Sequence, residues 1–240
     1  MRRKISNHFP LLFFLLSVFL LLMYKWPHLS LPFFQDEAWV YGKAVRMMAD
    51  KNLSLLPNAL DDELVRGHPL LFHFIFAAIL KVLGNSVFNA HLIALGVSVS
   101  FLFLLFYYFE TRVGRWSGWV LTSLVMIQPV FLAQCGLVLP EILLTSLVFL
   151  SIWFFSEGRF RLYFFTAACA VLVKESAVVL FVALSLFRLF NHKKLGSNFS
   201  SLSLHLFRIN LPLVPWLMYL MVYKMQTGNF FFHEHIEALS

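Results

Sequence analysis

The stretch Val87–Phe109, VFNAHLIALGVSVSFLFLLFYYF, decides how this chain folds. It contains no Asp, Glu, Lys or Arg, and it exceeds the roughly 20 apolar residues that a helix needs to cross a bilayer. Backbone polar groups find no water in the hydrocarbon core, so a single segment crosses it as an α-helix. We therefore expect a transmembrane helix here and interpret the flanking sequence around it.

Similar apolar runs recur along the whole chain. Further spans are predicted at Phe9–Tyr24, Trp116–Leu132, Leu139–Phe155, Leu162–Val173, Ser176–Phe190 and Arg208–Tyr223. Hydrophobic residues make up 60% of the 240 residues and charged residues 13%, against about 25% charged in soluble domains. The composition predicts an all-α, polytopic transmembrane helix bundle of about seven spans. The net charge of +7 lies in short clusters between the runs, which indicates loop topology and not nucleic-acid binding.

These basic clusters orient the predicted bundle. They are Arg2-Arg3-Lys4, Arg112 with Arg115, Arg159 with Arg161, and His192-Lys193-Lys194. Lys and Arg favour cytoplasmic loops, and placing all four clusters there allows only one crossing between the first outer loop and Arg112. The shorter run Pro69–Leu83 is then predicted to be a re-entrant or interfacial helix. If it spans fully instead, the later loops exchange sides.

The organisation that follows is a single domain over residues 1–240. It comprises a first span (9–24), an outer loop (25–68) that holds candidate catalytic residues, and the remaining bundle (69–240). In the outer loop, Asp36–Asp50 has apolar residues at near-helical spacing. This spacing predicts a short amphipathic helix on the membrane surface.

An adjacent pair of acids, Asp36-Glu37, lies in this outer loop. Ionisable side chains beside a bilayer often line a wet cavity or carry chemistry. One interpretation is a general base that removes a proton from an acceptor. The other is an ordinary helix start in a solvated loop, where a carboxylate suits the helix dipole.

Three cations are candidates for binding phosphate. Arg66 and His68 precede Pro69 at a predicted helix start, where an anion is favoured, although a snorkelling Arg also anchors a helix at the interface. Lys174 and Glu175 join two short apolar runs with no flanking loop, which indicates a helix break that lines a cavity. They are either a phosphate-binding lysine with an acidic neighbour or a structural ion pair.

Glu141 opens an apolar run, and the predicted topology places it on the same face as Asp36. A carboxylate is also favourable at any helix start, so this position alone indicates little. No metal site is predicted, because Cys135 and Cys169 lack ligand-like spacing and His233-Glu234-His235 has no apparent third ligand.

The order of these elements resembles a known family. The motifs are Phe34-Gln35-Asp36-Glu37-Ala38-Trp39-Val40-Tyr41, Gly67-His68-Pro69-Leu70-Leu71, Leu83-Gly84-Asn85-Ser86, Pro129-Val130-Phe131, Leu139-Pro140-Glu141, Val171-Leu172-Val173-Lys174-Glu175-Ser176 and Thr227-Gly228-Asn229-Phe230-Phe231-Phe232. Their order and spacing are similar to those of membrane glycosyltransferases of the C-type fold. The protein mannosyltransferase and aminoarabinose transferase branch is the most similar, over nearly the whole chain.

The resemblance implies an integral-membrane enzyme that moves a sugar from a polyprenyl-phosphate donor to a lipid, protein or polysaccharide acceptor. The active site would face outward from a bacterial plasma membrane. By position, the resemblance implies catalytic Asp36 and Glu37, donor-phosphate contacts from Arg66, His68 and Lys174, and a second acidic site at Glu141 and Glu175. Glu141 stands where the family usually has Asp. Assistance by a divalent metal stays open.

The chain departs from this family in length, because family members usually continue with several more spans after the Thr227-Gly228-Asn229 motif. We therefore expect it to lack the family's C-terminal part. Two other interpretations remain, a transporter-like or flippase-like subunit and an inactive fragment. Transporters more often carry ionisable residues near the membrane midplane, whereas the predicted topology collects them on one face.

Overall fold

The computed structural model describes residues 8–65, 68–191 and 199–228. Within these ranges the chain is helical and has no strand, as the composition predicts. The helices are α1 (Phe9–Lys25), α2 (Gly42–Asp50), α3 (Asp62–Val65), α4 (Leu71–Leu83), α5 (Val87–Arg112), α6 (Arg115–Met126), α7 (Pro129–Gln134), α8 (Glu141–Ser156), α9 (Phe160–Val173), α10 (Val178–Asn191), α11 (Phe199–Asn210) and α12 (Val214–Thr227).

Three helical segments in the described parts are long and apolar enough to cross a membrane. They are Phe9–Ser30, Val87–Arg112 and Ser200–Thr227. The first joins α1 to a 3₁₀ turn, and the last joins α11 to α12 through a 3₁₀ turn at Leu211–Leu213. The helix predicted from the Val87–Phe109 stretch is confirmed and ends at Arg112.

The predicted span Trp116–Leu132 is wrong as a continuous helix. α6 ends at Met126 and α7 begins at Pro129, because Gln128 before the proline has an extended backbone (φ −61°, ψ 131°). α8, α9 and α10 are helices of 14 to 16 residues, shorter than the roughly 20 of a full crossing. The count of about seven spans therefore stays a prediction.

Helix α4 is the run whose crossing was ambiguous in the sequence. It has 13 residues, which at 1.5 Å each reach about 20 Å against a hydrocarbon core of about 30 Å. Its last turn ends at Gly84, whose φ of 100° favours glycine. Asn89 closes the corner, because its amide donates to the carbonyls of Leu83 and Gly84. The length of α4 agrees with a helix that enters the bilayer without spanning it.

The two ends of the bundle carry different charges. At one end the Arg112 guanidinium pairs with Glu157, and Glu157 also pairs with Arg159 at 2.9 Å. Gly158, with φ of 70°, turns α8 into α9 at this end. Two of the predicted basic clusters therefore lie together. The opposite ends of the same two helices carry Glu141 and Lys174, so this pair lies at the other end of the helices from these two basic clusters.

The outer loop contains short helical segments, as predicted, but its amphipathic helix faces inward. The segment Asp36–Asp50 becomes a π-helical turn over Glu37–Tyr41 followed by α2. The apolar side chains of α2 lie in one buried cluster with Phe72 and Phe76 of α4. Burying this face against protein removes the same apolar area from water as burying it in lipid, so the sequence pattern could not distinguish the two.

We predict that the contact between α5 and α6 requires Gly118. A Cβ at this position would lie 3.1 Å from the Glu110 nitrogen and 3.3 Å from the Phe106 carbonyl oxygen, both backbone atoms. Gly118→Leu should lower the free energy of unfolding by about 1–3 kcal/mol, measured by denaturant titration in detergent. The control is Gly96→Leu on α5, where an added Cβ meets nothing within 4 Å. Equal stability of the two variants would contradict the prediction.

Candidate functional site

The two acids of the Asp36-Glu37 pair lie in different environments. Asp36 is exposed, whereas Glu37 is completely buried, at 0% exposure. Gln35 precedes them with φ of 47°, so the chain turns sharply just before the π-helical turn begins. This turn directs the first carboxylate outward and the second into the protein. Only Asp36 is open to a substrate in this structure.

Glu37 is held by a buried hydrogen-bond network. One carboxylate oxygen accepts from the Val138 backbone N–H and contacts His91 Nε2 at 3.1 Å, and the other accepts from the Phe34 N–H at 3.3 Å. His91 Nδ1 lies 3.0 Å from the carbonyl oxygen of Leu29. A carbonyl oxygen only accepts hydrogen bonds, so His91 Nδ1 carries a proton. A second proton lies between His91 Nε2 and the Glu37 carboxylate.

This network joins three separate parts of the chain. Leu29 and Phe34 belong to the outer loop, His91 to the first turns of α5, and Val138 to the segment that leads into α8. An unpaired buried carboxylate is very unfavourable, so these partners must stay in place together. The network therefore fixes the backbone on both sides of Asp36 and the segment that presents Glu141.

A second group of charges forms two ion pairs. Lys174 Nζ lies 2.8 Å from Glu141 Oε1, and His68 Nδ1 lies 2.9 Å from Glu175 Oε2. Lys174 has an extended backbone (φ −160°, ψ 132°), so α9 ends before it and the predicted helix break is confirmed. The break turns Lys174 and Glu175 toward different partners. The structure thus brings together His68, Glu141, Lys174 and Glu175, while Arg66 lies outside the described residues.

Tyr41 lies within electrostatic reach of this group. Burial raises the pKa of its phenol, Lys174 opposes that rise, and Glu141, Glu175 and Asp36 add to it. Tyr41 is therefore a neutral hydrogen-bond donor at neutral pH.

Lys174 and Glu175 keep their charges despite partial burial. Burial alone would lower the pKa of Lys174, but its hydrogen bond to Glu141, together with Tyr41 and Glu175, holds that pKa above its ordinary value. Burial would raise the pKa of Glu175, but the hydrogen bond and charge of His68 hold that pKa below its ordinary value. An ammonium and a carboxylate are both present at neutral pH.

Sequence reasoning missed several residues of this region. His91 is 62 positions from Leu29, and nothing in either local sequence signals their contact. Tyr41 lies at an apolar position of the predicted amphipathic helix and ends the Phe34–Tyr41 motif, and neither pattern indicates that it lies near the ion pairs. His73 stacks on Tyr41 with ring centroids 5.8 Å apart and is 1% exposed, and neither of its ring nitrogens has a hydrogen-bond partner among the residues described. For His73, its place as a histidine within an apolar run was the one feature of the sequence that could have indicated this position.

An apolar groove of about 210 Å³ lies beside the ion pairs. Its lining is Leu55, Leu56, Pro57, Leu70, Leu71, Leu172, Pro215, Met218, Tyr219 and Val222. The Tyr219 hydroxyl donates to the His68 carbonyl at 2.8 Å, which ties the groove wall on α12 to the segment before α4. Leu70 and Leu172 each lie two residues from a member of the ion pairs. The groove can hold an apolar chain whose polar end reaches these charges.

No group of three or more His, Cys, Asp or Glu side chains in the described part of the chain could hold a metal ion. The His233-Glu234-His235 tail lies outside that part.

Comparison with known proteins identifies one family. The family model described as dolichyl-phosphate-mannose-protein mannosyltransferase matches residues 67–219, which is more than half of the 240-residue chain. The matched region contains His68, Glu141, Lys174, Glu175 and most of the groove, while Asp36 and Glu37 precede it. No curated protein and no solved structure gives a significant match.

We predict that Glu37 stabilises the fold, whereas Asp36 does not. Glu37→Ala leaves His91 and the Val138 N–H without their buried partner, so the free energy of unfolding should fall by about 3–5 kcal/mol. Asp36→Ala removes an exposed carboxylate and should change the free energy of unfolding by less than about 0.5 kcal/mol. Denaturant titration of both variants in the same detergent measures the difference. Equal losses would show that Glu37 is not the structural member of the pair.

We also predict an acid-dependent contribution from the pair of His68 and Glu175. The pKa of Glu175 is lower in the folded protein, so its contribution is complete above the unfolded-state pKa of about 4.3. It is lost as the pH falls through the lower folded-state pKa. The melting temperature of the wild type should therefore approach that of Glu175→Gln as the pH falls below about 4. A difference between them that stays constant with pH would contradict this.

Proposed function

The chain belongs to the dolichyl-phosphate-mannose-protein mannosyltransferase family of membrane glycosyltransferases, which use polyprenyl-phosphate sugars, and on that premise we propose how it works. It transfers a hexose or pentose from a polyprenyl-phosphate donor to a hydroxyl or amine of a lipid, protein or polysaccharide. The reaction takes place at the outer face of a bacterial plasma membrane. The catalytic base is Asp36.

The observation that carries this proposal is the apolar groove beside cations that are already ion-paired. A polyprenyl phosphate has a long apolar chain and an anionic head. The groove residues Leu70 and Leu172 lie next in sequence to the segments of His68 and Lys174, so a chain in the groove brings its phosphate to these two cations. This arrangement supports a lipid-linked donor over a soluble one.

The two cations retain donors for a phosphate. Lys174 has three N–H donors, and Glu141 accepts one. In its protonated form His68 uses Nδ1 toward Glu175, and Nε2, which has no hydrogen-bond partner among the described residues, carries the second N–H. Each carboxylate orients its cation, in the way that a third group orients a catalytic histidine. Arg66 precedes the same segment and is proposed as a further phosphate contact.

In this proposal, the charges of Asp36, Lys174 and His68 determine how the sugar is transferred. Asp36 removes the proton of the acceptor as the acceptor atom attacks the anomeric carbon of the sugar. The bond from that carbon to the phosphate oxygen breaks, and the oxygen leaves with the electron pair. Lys174 and His68 stabilise the negative charge that develops on this phosphate. The neutral Tyr41 phenol can donate to it as well.

Two acidic residues act through position in this proposal. Glu141 positions Lys174 through its Oε1, and its Oε2 is buried with no hydrogen-bond partner among the described residues. The resemblance predicts that Glu37 shares catalysis with Asp36. Because Glu37 is buried, we assign it instead the role of positioning the loop. The alternative of a transporter-like subunit is less favoured, because the site charges collect at one end of the helices and not at their middle.

We predict that Asp36→Asn lowers the kcat of transfer by about 10²- to 10⁴-fold, because a general base contributes that much. The donor KM should change little, since Asp36 does not contact the donor phosphate. The assay follows release of polyprenyl phosphate from a labelled polyprenyl-phosphate sugar in membranes that supply acceptor.

The matched control is Asp61→Asn, which changes an exposed carboxylate in the same outer loop. It should retain wild-type transfer, and both variants should melt as the wild type does. Undiminished transfer by Asp36→Asn would refute the role of Asp36, whereas absence of transfer by the wild type would refute the activity of this chain.

A further inference from the structure

A second cavity lies on the opposite side of α2 from its buried face. It is open, has a volume of about 570 Å³ and is lined by Phe33, Ala38, Lys43, Arg46, Met47, Asp50 and Lys51. Lys43, Arg46, Met47 and Asp50 follow each other at helical spacing along one face of α2. Three cations therefore surround a space that contains one carboxylate.

The cations of this cavity differ from those of the candidate active site. Among the residues that the structure describes, no carboxylate lies within 4.0 Å of the charged nitrogens of Lys43, Arg46 or Lys51. By contrast, His68 and Lys174 each have a carboxylate partner. The cavity thus carries net positive charge, because its three cations outnumber the single carboxylate of Asp50, and an anion would be attracted to it.

The Arg46 side chain is held in place for such a ligand. Its Nε donates to Asn85 Oδ1 at 3.1 Å, and Asn85 Nδ2 donates back to the Arg46 carbonyl at 3.0 Å. This reciprocal contact uses one of the five guanidinium donors and leaves the forked end for other partners. A fixed guanidinium loses less freedom when it binds a phosphate in bidentate fashion.

The same contact ties the cavity to the N-terminal end of α5. Asn85 lies two residues before Val87, where the apolar helix α5 begins. Trp39 and Phe34, beside the cavity lining, are 76% and 64% exposed. Exposed aromatic side chains are typical of the membrane–water interface, where one part of the ring is wet and the other apolar. The apolar wall from Phe33 and Met47 suits the glycerol and first acyl carbons of a lipid.

We propose that this cavity binds the phosphate of an anionic phospholipid from the surrounding bilayer. The three cations contact the headgroup, and Phe33 and Met47 contact its apolar part. The site holds α2 against the membrane interface beside Asp36, independently of the donor site. The proposal concerns binding and does not rest on the transferase activity.

The test measures which lipid occupies the cavity of the full-length chain in vesicles. Ala38→Cys, in a background with Cys135→Ala and Cys169→Ala, carries a bimane fluorophore at the cavity wall. The vesicles consist of phosphatidylcholine with a minor fraction of brominated lipid. In one preparation this fraction is phosphatidylglycerol and in the other it is phosphatidylcholine, each brominated near the glycerol. Bromine quenches a fluorophore in contact with it, so quenching reports the bound lipid.

We expect brominated phosphatidylglycerol to quench more strongly than brominated phosphatidylcholine at equal content. Lys43→Gln and Lys51→Gln should each reduce the preference for the anionic lipid by about fivefold, since a basic residue near a charged surface contributes about that factor. Lys81→Gln is the matched control, because Lys81 is an exposed lysine of α4 outside the cavity. It should keep the wild-type preference, and so should Asp36→Asn, which disables only the proposed chemistry.

Three outcomes would overturn the proposal. Equal quenching by the two brominated lipids would show that the cavity does not select anionic lipid. If Lys81→Gln reduced the preference for the anionic lipid as much as Lys43→Gln does, the preference would come from the general surface charge and not from the cavity. Displacement of brominated phosphatidylglycerol by inorganic phosphate would show that the cavity takes a soluble anion. Melting temperatures of the glutamine variants equal to that of the parent confirm that each variant is folded.

Discussion

The burial of the Glu37 carboxylate is the constraint on which the arrangement of this protein depends. A charge withdrawn from water requires several well-placed partners, and Glu37 obtains them from the outer loop, from His91 on α5 and from the segment before α8. These three parts are far apart in the chain. Satisfying one carboxylate therefore fixes the loop against a membrane-spanning helix and fixes the start of α8 against both.

The position of the candidate active site follows from that constraint. With the outer loop held, Asp36 is exposed and Tyr41 lies within electrostatic reach of Glu141, Lys174 and Glu175. The helix break at Lys174 supplies the cation, and the wall between α4, α9 and α12 supplies an apolar groove. Charge and apolar surface thus meet at one end of the bundle, which is the combination that a sugar on a polyprenyl phosphate requires.

Cations occur in two environments at this end of the protein. Those beside the groove are paired with carboxylates, so in the proposed function an arriving phosphate meets partly neutralised charges and need not bind very tightly. Those that line the cavity on the exposed face of α2 have no such partner among the described residues, and we propose that they attract an anionic phospholipid. The same residue types therefore serve different purposes, and the distinction lies in which carboxylates the fold brings near them.

The sequence alone determined the helical class, the α5 span, the separation of basic loops from acidic sites and the break at Lys174-Glu175. These features follow from local hydrophobicity and charge, which the order of residues records directly. The family resemblance also came from local motifs, and the match over residues 67–219 confirmed a membrane glycosyltransferase. Only the tertiary structure decided that Glu37 is buried while Asp36 is exposed, that α2 packs on α4, and which carboxylate each cation contacts. Those outcomes depend on pairs of residues up to 107 positions apart, and no local pattern encodes which distant partner will satisfy a buried charge.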